Sequence, residues 1–167
     1  MTKSLMIEIQ APHRVDGHYN SLPKIFLGGS IEMNTAEKWQ EKFVQDMANE
    51  DVVLFNPRRD DWDSSIVQRE SDHRFAEQVN WELDSLGESD IVIFYFDPNT
   101  KSPITLMELG IFSTMPGTMG PEVIVCCPDG FWRKGNVEIL CSRNGIPLVN
   151  TYSELLATAK SLLAQIK

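Results

Sequence analysis

The sequence lacks the marks of several protein classes. It has only three cysteines, two of them adjacent and none in a C-x-x-C pair, so neither a zinc site nor a disulfide framework is indicated. No apolar run approaches the roughly 18 residues that a membrane span needs. Lys and Arg number 15 against 24 Asp and Glu, a net charge of −9, which argues against a nucleic-acid polymer or an anionic membrane as the main partner. Because the cysteines indicate no disulfide framework, a reducing, cytoplasmic setting is expected.

Several catalytic signatures are missing as well. There is no G-x-G-x-x-G fingerprint for dinucleotides, no P-loop and no G-x-S-x-G elbow for a nucleophilic serine. The three histidines show no metal-ligand spacing. We therefore expect no metal site and no cofactor, so any chemistry must come from the side chains of the chain itself.

What the sequence does have is a regular alternation of short apolar runs and longer helical stretches. The 167 residues fit one domain, which we place at 24–167 after an N-terminal arm at 1–23. Within the arm, 4–10 is a possible strand. Strands are predicted at 24–27, 51–55, 90–96, 123–127 and 147–149. The predicted helices follow them: one capped at Asn34 or Thr35 and running through Met47, then 73–86, 104–113 and 132–142, and a last one capped at Thr151 or Ser153.

Strands that alternate with helices predict an α/β fold with a parallel sheet and helices on both faces. Ligands of such sheets bind beyond the carboxyl ends of the strands. The segments that follow the strands, at 28–32, 56–63, 97–108 and 128–132, are therefore the ones that can carry function.

Two of these segments have the composition of a binding loop. Gly28 and Gly29 allow a ligand to approach the backbone, and the Ser30 hydroxyl can hold a sugar or phosphate oxygen; a tight strand-to-helix turn is the alternative interpretation. In the loop 56–63, Trp62 is suited to stack on a planar base while Arg59 or Asp61 reads its edge. A solvated charged loop explains the same run equally well.

The segment 97–110 contains a carboxylate in an unusual position. Glu108 lies near the start of a predicted helix, inside an apolar run, so its burial is costly unless it has a partner or a task. An ionised carboxylate with little water around it is a competent nucleophile toward an anomeric carbon. Glu82 on the preceding helix can supply a second carboxyl group to manage the proton, with Asp84 and Glu77 as alternatives. A helix-start Glu bonded to nearby amides is the competing explanation for Glu108.

Four segments together, 26–31 (FLGGSI), 56–63 (NPRRDDWD), 78–83 (QVNWEL) and 102–110 (SPITLMELG), resemble the nucleoside 2-deoxyribosyltransferase superfamily, and most closely its deoxyribosyltransferase-like branch. The resemblance implies a doubly wound, flavodoxin-like fold with a five-stranded sheet. It also implies cleavage of the N-glycosidic bond of 2-deoxynucleosides in purine or pyrimidine salvage, with transfer of the sugar to another base. Glu108 would be the nucleophile that forms a glycosyl ester. Glu82 would donate the proton to the base, at a position where the family commonly has Asp.

The resemblance also implies the surroundings of this pair and leaves alternatives open. Ser102 stands where the transferases often have a sugar-holding Asp, and with Ser30 it matches the phosphate-binding serines of N-glycosidases that hydrolyse deoxynucleoside 5′-monophosphates. A hydrolase of such compounds or of NAD-like nucleotides is therefore one alternative, and a catalytically silent nucleotide-binding module is another. A segment near the fourth helix would complete the site of a neighbouring subunit in a homo-oligomer. The expected substrate-binding residues are Gly28, Gly29, Ser30, Asn56, Arg59, Asp61, Trp62, Asp97, Ser102, Met107, Ser142 and Asn144.

Overall fold

The computed structural model describes residues 5–14, 19, 21–32, 35–115 and 119–166 of the chain. Among these residues, six parallel strands form one sheet: β1 (Met6–Gln10), β2 (Lys24–Gly29), β3 (Val52–Asn56), β4 (Ile91–Tyr95), β5 (Glu122–Cys126) and β6 (Leu148–Val149). Their order across the sheet is β1-β3-β2-β4-β5-β6. The helices of the same residues are α1 (Trp39–Asp46), α2 (His73–Glu88), α3 (Pro103–Phe112), α4 (Lys134–Asn144) and α5 (Tyr152–Ile166). No helix in the described part is long and apolar enough to cross a membrane.

The sheet confirms the predicted doubly wound fold and has one strand more than expected. Strands β2 to β6 follow the flavodoxin-like order, with the switch in direction between β2 and β4. The sixth strand is β1, which the sequence offered as a possible strand of the arm. It pairs along its whole length with β3, from Met6 opposite Val52 to Gln10 opposite Asn56. The arm therefore contributes the edge of the sheet, because the open side of β3 still had backbone groups to pair.

Helices cover both faces of the sheet, and the alternation of strand side chains divides the core between them. On one face, Ile25, Leu27, Leu54 and Ile93 pack with side chains of α1 and α5. On the other face, the strand residues Phe26, Val53, Phe55, Val92 and Phe94 pack with side chains of α2, α3 and α4. Helices α2 and α3, which carry Glu82 and Glu108, therefore lie on the same face of the sheet.

Two helices differ in detail from their prediction. Helix α1 begins at Trp39, later than expected, because the N–H groups of Thr35 and Ala36 donate to the carbonyl of Glu32 in a separate turn; Asn34 lies outside the described residues. In α2, helical spacing predicts an apolar stripe that includes Leu83 and Leu86. Leu86 is buried, but Leu83 is 43 % exposed and Trp81 is buried instead. The indole of Trp81 packs edge-on against Phe55. It offers far more apolar surface to the core than a leucine, so it sets the rotation of the helix.

The end of β2 lies unusually close to β4. A β-carbon on Gly28 would lie 2.8 Å from the carbonyl oxygen of Ile93, and one on Gly29 would lie 2.5 Å from that of Tyr95. Gly29 also has a φ of 152°, which side chains rarely tolerate. The two glycines thus have a structural reason: they let β2 end flush against the neighbouring strand, at the edge where ligands bind in this fold.

Candidate active site

A cleft opens at the carboxyl edge of the sheet, next to the switch between β2 and β4. Its interior is narrow, about 30 Å³, well below the roughly 300 Å³ of a small ligand pocket. Its lining residues are Phe26, Gly28, Gly29, Ile31, Pro57, Glu82, Ile104, Thr105 and Glu108. Both predicted carboxylates therefore face one cavity, although they come from different helices.

Glu108 is the more deeply placed of the two carboxylates. It lies in the second turn of α3 and is only 5 % exposed. Burial raises the pKa of its carboxyl group to about 8, and the charge of Glu82 contributes to the increase. A carboxylate is held here at a cost to the folded state, which is typical of functional positions.

Glu82 approaches the cleft from α2. Burial raises its pKa to about 7, while a hydrogen bond from the Gln78 side-chain amide opposes that shift. The donor nitrogen lies 2.7 Å from the Glu82 Oε1 atom. With both pKa values near neutrality, the pair carries about one proton and one negative charge at physiological pH. The two carboxyl groups share that proton as a coupled pair, so each can serve as the acid or as the base.

A hydrogen-bonded chain links Glu82 to the loop after β3. The Nε atom of Arg59 donates to Asp61 at 3.0 Å, and its Nη1 atom donates to the side-chain oxygen of Gln78 at 3.5 Å. Gln78 is buried and also donates to the carbonyl of Pro57 at 3.2 Å. It therefore joins Arg59 to Glu82. We did not predict Gln78 as a site residue, but its position four residues before Glu82 on a helix puts both on one face, and that spacing is visible in the sequence.

Trp62 lies beside this chain. Its ring is half-buried, and the Arg59 guanidinium lies 5.9 Å from the ring centroid. The exposed part of a half-buried indole beside a cation can stack on a planar base. The structure thus brings Arg59, Asp61 and Trp62 into one group that is connected to Glu82.

The predicted serines meet next to the cleft, in a buried cluster of three hydroxyl groups. Ser30 Oγ lies 2.5 Å from Ser102 Oγ and 2.8 Å from Thr100 Oγ1. The Oγ1 atom of Thr100 lies 2.7 Å from the Oγ atom of Ser102. Ser102 has a φ of 47°, a strained value for a residue with a side chain. The hydroxyl bonds hold this residue in place directly before α3. Thr100 was not predicted, since a single threonine in a loop carries no pattern.

Three other predicted residues lie outside the cleft lining. Asn56 donates to Glu8 at 2.7 Å and lines a separate polar cavity beside α1. The carboxylate of Asp97 accepts from the backbone N–H groups of Glu37 and Asn99, so it organises the loop after β4. Met107 is 54 % exposed on the outer face of α3.

The predicted segment near the fourth helix lies at the amino ends of the strands, opposite the cleft. Ser142 and Asn144 are exposed in the last turn of α4, which runs from the carboxyl edge toward the start of β6. Asn144 lines a groove there together with Gly145 and Pro147. These residues cannot belong to the cleft of their own subunit.

The described residues offer no cluster of three His, Cys, Asp or Glu side chains that could hold a metal ion. At the cleft the structure places two carboxyl groups, those of Glu82 and Glu108, and beside them an aromatic ring with polar neighbours. Such a pair is what cleavage of a glycosidic bond requires.

Comparison with known proteins agrees with this interpretation. The family model described as "nucleoside 2-deoxyribosyltransferase like" matches residues 22–131, which is about two thirds of the chain. The matched range starts just before β2, includes Glu82 and Glu108, and ends before α4. No curated protein sequence matches the chain.

Proposed function

This chain belongs to the nucleoside 2-deoxyribosyltransferase-like family, and on that premise we propose that it transfers 2-deoxyribose from one base to another. The observation that carries the proposal is the presence of two carboxylates, the buried Glu108 and the half-buried Glu82, in the lining of one cleft. Their raised pKa values provide both an acid and a base near neutral pH.

The first step forms a covalent intermediate. An oxygen of the ionised Glu108 carboxylate bonds to C1′ of the sugar from the side opposite the base, while the C1′–N bond breaks and its electron pair goes to the base nitrogen. Glu82 donates its proton to the departing base. The absence of a 2′-hydroxyl makes the positively charged transition state easier to reach. The product of this half-reaction is a deoxyribosyl ester of Glu108 and a free neutral base.

The second step reverses the first with another base. A nitrogen of the incoming base bonds to C1′, the ester bond breaks, and its electron pair returns to the Glu108 carboxylate. The proton lost by that nitrogen passes to Glu82. Two inversions give net retention at C1′. Attack by water instead of a base gives hydrolysis, so exclusion of water decides between the two outcomes.

The loop after β3 supports the binding of a base. Trp62 provides a partly open ring, and the Arg59 guanidinium and Asp61 carboxylate beside it are held in a fixed pair. We propose that the base stacks on Trp62 and that the Arg59–Asp61 pair reads its edge. Because Gln78 joins Arg59 to Glu82, the group that senses the base is connected to the group that protonates it.

The outer surface of helices α2 and α3 supports a homo-oligomer. Ile104, Met107 and Ile111 are each at least 40 % exposed along α3, and Leu83 of α2 is equally exposed. Apolar side chains spaced in this way on a helix form a stripe that water solvates poorly and that a second copy can cover. We propose that this surface is the subunit interface, and that Ser142 and Asn144 complete the site of a neighbouring subunit.

A mass measurement tests the reaction. The protein is mixed with each of the four 2-deoxynucleosides and analysed intact and after digestion, with Glu108→Gln as the inactive variant. Glu77→Gln is the matched control, because Glu77 is an exposed carboxylate on α2. We expect a deoxyribosyl-sized adduct on the peptide that contains Glu108, present in the Glu77 variant and absent from the Glu108 variant.

Product analysis separates the alternatives. A new nucleoside in the presence of an acceptor base indicates transfer, whereas free base formed without an acceptor indicates hydrolysis. Stabilisation of the protein by nucleosides without any turnover indicates a silent binding module. The proposal fails if no adduct and no turnover are found with the deoxynucleosides and their monophosphates.

A further inference from the structure

Glu32 makes an unusual contact at the rim of the cleft. Its Oε1 atom accepts two hydrogen bonds from consecutive backbone N–H groups, from Lys101 at 2.7 Å and from Ser102 at 2.8 Å. The side chain of Glu32 thus reaches from the loop after β2 to the start of α3 and ends there as a half-buried carboxylate.

Paired backbone N–H groups at the start of a helix are the groups with which proteins bind phosphate. Here the chain supplies its own anion to them. The hydroxyl groups beside them, those of Ser30, Thr100 and Ser102, are bonded to one another and to backbone groups of the loop after β4. The polar groups of this region that could hold a phosphate are therefore already engaged within the protein.

The same region is part of the cleft wall. Ile31, which precedes Glu32, and Ile104, which follows Ser102 by two residues, both line the cleft. The lining contains two carboxylates and no Lys or Arg. A phosphate on the sugar would thus meet the charge of Glu32 at the rim and that of the Glu82–Glu108 pair inside, without a lining cation to offset either.

We propose that Glu32 determines specificity at this site by excluding phosphorylated substrates, so that the chain acts on uncharged nucleosides and not on nucleoside monophosphates. This inference rests on the proposed function. It assigns to Glu32 a role in selection and none in bond cleavage, because its carboxylate contacts backbone amides and does not belong to the cleft lining.

Kinetics with paired substrates test the role of Glu32. We compare kcat/KM for a deoxynucleoside and for its 5′-monophosphate in the wild type, Glu32→Ala, Glu32→Gln and the control Glu41→Ala, which removes an exposed carboxylate of α1. We expect the monophosphate-to-nucleoside ratio to rise by roughly tenfold or more in Glu32→Ala, through KM more than through kcat. Glu32→Gln, which keeps an acceptor oxygen but no charge, should show a smaller rise, and the control no change.

Binding of inorganic phosphate provides a measurement that does not depend on turnover. Millimolar phosphate should raise the melting temperature of Glu32→Ala and leave that of the wild type unchanged, with chloride at equal ionic strength as the reference. A wild type that prefers the monophosphate, or that phosphate stabilises as much as the variant, overturns the inference. So does an unchanged substrate ratio in Glu32→Ala. If the wild type cleaves neither compound, the proposed function fails, and the phosphate measurement alone then decides whether Glu32 blocks an anion.

Discussion

Replacing Glu108 by glutamine should make the protein more stable and inactive. The carboxyl group is 5 % exposed, and burial together with the charge of Glu82 raises its pKa from 4.5 to about 8. Between these two pH values the unfolded chain has released the proton, while the folded chain still holds it. The stability of the wild type therefore decreases as the pH rises through this window, by about 1.4 kcal/mol per pH unit for an isolated group.

The size of the effect follows from the width of the window. At pH 8 the accumulated cost of the Glu108 carboxyl group is on the order of 4 kcal/mol. A glutamine at this position avoids that cost, but its amide must be desolvated in the same cleft, which takes back about 1–2 kcal/mol. We expect Glu108→Gln to be about 2–3 kcal/mol more stable than the wild type at pH 8, or roughly 5–10 °C in melting temperature. Near pH 4 the ionisation cost is absent, so the variant should be about 1–2 kcal/mol less stable than the wild type.

Urea unfolding at pH 4, 6 and 8 measures this difference in stability. The matched control is Glu154→Gln, for which we expect a loss of stability at pH 8 where Glu108→Gln should give a gain. The Glu154 carboxylate accepts from the N–H groups of Asn150 and Thr151 at the start of α5, and these bonds lower its pKa. Its contribution is present at neutral pH and is lost as the pH falls through the lowered pKa. The Glu154 variant should thus be less stable than the wild type at pH 8 and should approach it in acid.

Two results would contradict a burial cost at Glu108. If Glu108→Gln is no more stable than the wild type at pH 8, the carboxyl group does not carry a burial cost in the folded protein. If its advantage is the same at pH 4 and at pH 8, the gain comes from packing and not from ionisation. In either case the argument that this carboxylate is retained for chemistry at the expense of stability loses its support.

Three further predictions follow from the same geometry. In steady-state kinetics, kcat/KM of the wild type should have a bell-shaped pH dependence with limbs near pH 7 and 8. Glu82→Gln should lower kcat/KM about 10²–10⁴-fold and remove one of these limbs. Gly29→Ala should cost on the order of 2–4 kcal/mol in urea unfolding, because the new methyl group meets the carbonyl of Tyr95. Ile111→Glu should reduce the mass measured by light scattering to that of the monomer, while far-UV circular dichroism stays unchanged; a monomeric wild type would contradict the proposed interface.

The arrangement of elements along the chain could be predicted because local patterns encode it. A run such as Ile91–Tyr95, apolar on both faces, forms a central parallel strand in almost any context. The positions of Glu82 and Glu108 on consecutive helices that flank this strand were equally visible, since they depend only on helical spacing and element order. The boundaries shifted by a few residues where a cap or turn competed with the helix, as at Trp39.

Other features depended on contacts between distant parts of the chain. The short strand at Met6–Gln10 is visible in the sequence, but its pairing with β3 depends on the path taken by the 41 residues between them. The choice of Trp81 over Leu83 as the buried residue of α2 reflects which side chain fills the space against Phe55. Periodicity identifies an amphipathic helix, whereas the volume of the opposing core determines its rotation.

The order of strands and helices, the parallel sheet and the two acidic residues at its ligand end could be read from local patterns, because each depends on residues close together in the chain. Which polar residues share a site depends on the folded chain. It joined Gln78 to Glu82 and Arg59, sent Asn56 to a separate cavity, and placed the Glu32 carboxylate on amides about 70 residues away. Hydrogen bonds of that kind form between groups that the fold brings within about 3 Å of each other, and no local pattern records which groups those will be.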